Sequence, residues 1–144
     1  MRSEGQTLFA TAIVVLLAFV LLDAAWLSLV AVDLFQKRLG PILRPEPSIA
    51  PIAAFYLIYA AGLVVLAVRP ALAANSWRTA AALGAVVGLT AYATFDLTSL
   101  AVIDRWTVDL AIVDIVWGVV ASALAAILGF VAGRRLTLRR SAGE

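Results

Sequence analysis

The sequence predicts an all-α integral membrane fold: a four-transmembrane-helix bundle in a single domain, with both termini on the same side. Three observations predict it. The 144 residues are 64% hydrophobic and only 14% charged, with mean hydropathy +1.03, far above the roughly 45–50% apolar usage of soluble domains. Four apolar stretches reach or approach the about 20 residues that cross a hydrocarbon core of about 30 Å. Strand-like alternation never persists long enough to suggest a membrane barrel.

The spans are expected at residues 7–32, 51–68, 79–103 and 110–133, followed by a basic tail over 134–144. The first resembles a secretory signal in that Arg2 precedes an apolar run. The run is longer than a signal core, however, Asp23 and Trp26 interrupt its end, and Leu29 suits a small-x-small cleavage site poorly, so it reads as a retained helix. The second span is short. Pro51 suits a first helical turn, where a missing N–H costs nothing, and Arg69-Pro70 is expected to end it. Between these two spans, Leu34, Phe35, Leu39, Ile42 and Leu43 alternate with Lys37, Arg38 and Arg44. That pattern reads as an interfacial connector, apolar side chains in the membrane boundary and basic ones toward headgroups, with a gate as the alternative.

Arg2, Arg69, Arg78, Arg134, Arg135, Arg139 and Arg140 flank one side of the four spans; Lys37, Arg38, Arg44 and Arg105 flank the other. Positive charge prefers the inside, so both termini are expected in the cytoplasm. The tail arginines Arg134, Arg135, Arg139 and Arg140 are expected to hold the fourth helix to anionic lipid. No cysteine and no histidine occurs, which removes disulfides, thiolate chemistry, iron–sulfur clusters, the usual zinc and haem ligands and imidazole bases. No cofactor and no metal site is expected, and no basic groove points to nucleic acid.

Three aspartates fall inside the apolar spans: Asp23, Asp96 and Asp114. Each costs about 2.5–3.5 kcal/mol at the centre of a bilayer, less near its surface, so all three should face the bundle interior. Asp23 lies late in the first span, Asp96 late in the third and Asp114 early in the fourth; because successive spans reverse direction, the three reach one half of the membrane. Tyr56 and Tyr59, early in the second span, reach it too. Tyr92, Asp96 and Ser99 stand at i, i+4 and i+7, one polar stripe. Asp23 with Trp26 and Asp114 with Trp117 form two D-x-x-W pairs that put carboxyl and indole on one helix face. Arg105 is a candidate rim partner for the acids. Small residues at Gly84 and Gly88, and at Gly118, Ser122, Ala126 and Gly129, predict close packing of the third and fourth helices.

The stretches LLDAAWLSLV, LFQKRLGPIL, FYLIYAAGLVV, AYATFDLTSLA and VDIVWGVVAS resemble, in that order, the bacterial membrane-protein family catalogued as domain-of-unknown-function number 2177, over roughly residues 8 to 130. The resemblance implies a four-helix protein of the bacterial inner membrane. Its motif positions in this chain are Asp23, Trp26, Tyr92, Asp96, Thr98, Asp114 and Trp117. It implies no activity.

Three acids at one depth with no cation inside the spans read as a polar binding pocket, with interhelical glue as the plainer alternative. A proton or cationic ligand is the natural complement. Three functions fit. The first is a small-molecule or cation binder or proton-coupled carrier, using Asp23, Trp26, Tyr56, Tyr59, Tyr92, Asp96, Ser99, Asp114 and Trp117. The second is an accessory or assembly subunit of a larger membrane complex, a reading that a free homodimer would disfavour. The third is an enzyme acting on a lipid or isoprenoid.

Overall fold

A computed structural model describes the backbone of residues 2–141 and the side chains of 5–139. Among the described residues the chain is helical almost throughout and forms no strand. Four helical runs are long and apolar enough to cross a membrane. We number them α1 (residues 2–42), α2 (Ile49–Ala73), α3 (Trp77–Val102) and α4 (Val108–Ser141). Their large apolar side chains point outward on every helix, with Leu21 69%, Ile58 74%, Val86 58% and Val116 57% exposed. A soluble bundle would bury such faces; hydrocarbon covers them at no cost.

The interior is made mainly of small residues. Ala60, Ala67, Ala71, Ala80, Ala121, Ala125 and Ala126 are buried together with Val15, Phe19, Leu63, Val68 and Phe130. The tightest contact joins α3 to α4, as the small-residue rows predict. A Cβ added at Gly84 would stand 2.7 Å from the Ser122 carbonyl oxygen and 2.8 Å from the Ala126 methyl, and one at Gly88 would meet Gly118 and Ser122. Gly129 differs from expectation: it turns from α3 toward Val15 of α1 and Val68 of α2.

Two helices run further than the sequence pattern suggests. α1 passes through a π turn at Leu27–Ala31, continues as α-helix over Val32–Leu39 and ends in a 3-10 turn at Gly40–Ile42. The reason lies in packing. Leu39 is buried with Trp106, Leu110 and Ala111, and Leu34 and Phe35 pack on the same cluster, while Arg38 bonds Asp109 at 2.7 Å. Leu39 therefore faces protein and Arg38 a carboxylate, while Ile42 and Leu43 stay exposed. α2 crosses Arg69-Pro70 without stopping and ends at Ala73. A π turn at Val64–Val68 immediately precedes Arg69-Pro70, and such a widened turn accommodates the missing donor and the ring.

The α2–α3 link is the tightest of the connections. Asn75 takes a left-handed φ of 47°, its N–H donates to the Leu72 carbonyl, and the Ser76 N–H donates to the Ala71 carbonyl, which closes α2 with a Schellman motif. Ser76 then caps α3, accepting from the Thr79 N–H at 3.3 Å. At the other end, α4 carries the exposed Arg134, Arg135 and Arg139 as helix to Ser141, past the expected end of the span. The side chain of Arg140 lies outside the described residues.

Gly88→Val should destabilise the bundle by about 1–3 kcal/mol, the usual cost of overpacking, whereas Gly62→Ala, where an added Cβ meets nothing within 4 Å, should be neutral. Thermal unfolding of the detergent-solubilised protein checks both.

Candidate functional site

The spans bring the sequence-derived polar residues to one level of the bundle, and they do so by exchanging partners between helices. Asp23 on α1 accepts a 2.6 Å hydrogen bond from the Tyr56 hydroxyl of α2 through Oδ2 and a 3.2 Å bond from the Trp117 indole of α4 through Oδ1. The second D-x-x-W tryptophan thus serves the aspartate of the first motif and not the one on its own helix. The two indoles stack, centroids 4.8 Å apart and planes within 6°. Trp26 lends its ring to that stack, but its buried Nε1 donor has no partner among the described residues.

The α3–α4 register places the next pair of acids. Gly84 opposes Ser122 and Ala126, Gly88 opposes Gly118 and Ser122, and the Tyr92 ring lies on Gly118. Each step of four forward on α3 matches a step of about four back on α4, and one more step sets Asp96 beside Asp114. Asp114 lies within electrostatic reach of Asp96 and of Asp23. Among the described residues no group of three acids converges as metal ligands would.

Asp96 is fully buried. Its Oδ1 accepts from the Trp106 indole at 3.1 Å, and the Asp114 carboxyl is its other side-chain partner. Trp106 comes from the α3–α4 connection, where it is held edge-on between Phe35 at 5.8 Å and Phe95 at 5.4 Å. Arg105, the expected rim partner, is exposed; its neighbour is the residue that reaches the acid. Sequence reasoning passed over Trp106 because it lies outside the spans and at no helical spacing from Asp96.

Tyr59 turns to Ser122, hydroxyl to hydroxyl at 2.7 Å, so Ser122 is both a close-packing residue and a polar partner. Ser99 is buried one turn beyond Asp96, where its carbonyl accepts the Ile103 N–H. Thr98, on the same stretch, is exposed.

Two adjoining cavities open on this level. One, of 570 Å³, is lined by Asp23, Trp26, Tyr92 and Asp114, by Leu27 and Ala31 of the π turn, and by Arg44 with Pro45 and Pro47 of the α1–α2 connection. The other, of 440 Å³, lies among Phe55, Tyr59, Ala91, Phe95, Tyr92 and Asp114. Asp96, Ser99, Tyr56 and Trp117 stand behind these walls as support. Both volumes fall in the roughly 300–1,000 Å³ range of small-molecule sites.

The family model described as predicted membrane protein (DUF2177) matches residues 8–131. The chain therefore belongs to that family, whose function is unknown. No curated protein and no solved structure matches it.

Tyr56→Phe should cost about 0.6 kcal/mol, a typical hydrogen bond between membrane helices. Trp106→Phe should cost more, because it takes the indole donor away from the fully buried Asp96. Denaturant titrations in detergent micelles would compare the two.

Proposed function

We propose that this member of the family binds a cationic or amine-bearing small molecule in the cavity between its helices, as a binder or proton-coupled carrier of the bacterial inner membrane. One observation carries the reading: Asp23 from α1 and Asp114 from α4 line the same 570 Å³ cavity as the aromatic rings of Trp26 and Tyr92. Carboxylates in an apolar surround favour a positive occupant, since the interaction is weakly screened there. Indole and phenol faces add cation–π attraction. Size and polarity are those of a small organic cation. Protons compete for the same oxygens, and this competition is what couples a carrier to a proton gradient.

The orientation that fits the distribution of basic residues has both termini in the cytoplasm, and so puts the cavity in the outer half of the membrane. In that orientation the exposed Arg134, Arg135 and Arg139 at the end of α4 meet anionic headgroups of the inner leaflet.

Phenethylammonium is a suitable probe, because it joins an aromatic ring to an ammonium group, and the fluorescence of Trp26 in the cavity wall reports a change of its surroundings on binding. Its affinity should fall as pH is lowered and the carboxylates take up protons. Asp114→Asn should weaken it about tenfold or more, the usual worth of a hydrogen bond to a charged group. Binding that is flat with pH and indifferent to both Asp23→Asn and Asp114→Asn would sink the proposal.

A further inference from the structure

The cavity carries opposite charges from different elements, and that polarity specifies more than a cation. Asp23 and Asp114 come from the helices, whereas Arg44 enters the lining from the connection between α1 and α2. Arg44 is exposed, and among the described residues it is bonded to no acid; the ion pair there is Arg38 with Asp109. Its guanidinium is therefore a cation whose donors are open. A fork of this kind takes phosphate or carboxylate oxygens in bidentate fashion.

The other wall features agree with a ligand that has both charges. The Trp26 Nε1 donor is buried beside the same cavity without a partner among the described residues, and a polar atom in that state calls for an acceptor. Leu27, Val32 and Phe55 also line the cavity, yet are 43%, 45% and 39% exposed, so the wall between the charged ends is continuous with the lipid-facing surface. The π turn Leu27–Ala31 contributes to this wall, and π turns concentrate at functional sites.

We propose that the ligand is a zwitterion, an ammonium group joined by a short linker to a phosphate or carboxylate. Its ammonium meets Asp23 and Asp114, its anionic oxygens meet Arg44, and any acyl chain leaves between Leu27, Val32 and Phe55. This rests on the amine-binding reading above and deepens it. The same chemistry belongs to an amino-phospholipid headgroup and to a dissolved amino-phosphate or amino acid.

The test compares phenethylammonium, ethanolamine, phosphoethanolamine and phosphatidylethanolamine on the full-length protein in nanodiscs otherwise made of phosphatidylglycerol, using tryptophan fluorescence and, for the lipid, native mass spectrometry. Phosphoethanolamine or its lipid should bind about tenfold or more tightly than ethanolamine. Arg44→Gln, on an exposed loop, should abolish that preference. Lys37→Gln, a neighbouring cation outside the cavity, should change nothing. Tighter binding of the lipid than of dissolved phosphoethanolamine assigns the site to a membrane source; the reverse assigns it to a dissolved one. If Arg44→Gln leaves the phosphate preference intact, or no preference exists while phenethylammonium binds, the zwitterion is wrong and the cation reading stands. If phenethylammonium does not bind either, the underlying reading fails with it.

Discussion

Hydrocarbon has no hydrogen-bond donor to offer, so a carboxyl group carried into a membrane bundle must find its donors on neighbouring helices. Asp23 finds them on two, the Tyr56 hydroxyl of α2 and the Trp117 indole of α4. Those bonds fix the height of three helices relative to one another and the rotation of α1 about its axis. With that rotation set, Phe19 and Val15 turn inward and Phe9, Leu17 and Leu21 turn to lipid.

The bonds can form because the helices come close enough, and that depends on residues with almost no side chain. Gly84 and Gly88 let α3 meet the backbone of α4, and the Tyr92 ring lies where a Cβ at 118 would be. Tyr92 is thereby held as a wall shared by both cavities. Close packing and an open cavity are thus complementary results of one pattern. Small residues draw the helices together at one level, and the aromatic rings Trp26, Tyr92 and Phe55 hold them apart at the next.

The connection between α1 and α2 is likewise more than a link. Leu39 and Phe35 pin the extension of α1 to Trp106 and Leu110, and Trp106 in turn satisfies one oxygen of Asp96. The extension, the α3–α4 connection and the most deeply buried acid thus form one supported unit. From it the chain passes over the cavity through Arg44, Pro45 and Pro47, two prolines that restrict the backbone next to the charge they accompany. The exposed bond between Arg38 and Asp109 adds register there and little stability.

Composition and span length alone determined the four-helix membrane class, because apolar length against bilayer thickness is a property of the chain and not of its folding. The common depth of Asp23, Asp96, Asp114, Tyr56 and Tyr59 was legible for the same reason: counting residues along antiparallel spans gives height. The small-residue rows likewise announced the α3–α4 contact. Partner choice was not legible. Each D-x-x-W shows carboxyl and indole on one face, but whether the indole serves its own aspartate or another helix's depends on interhelical rotation and register, which no local spacing encodes. The ends of α1 and α2 escaped for a related reason: Val32–Leu39 stays helical because Trp106 and Leu110, some 70 residues away in sequence, cover it, and Pro70 is passed because a π turn precedes it. Trp106 beside Asp96 and Arg44 at the cavity are meetings across loops, and only the tertiary structure, which decides what lies next to what at a given height, could make them.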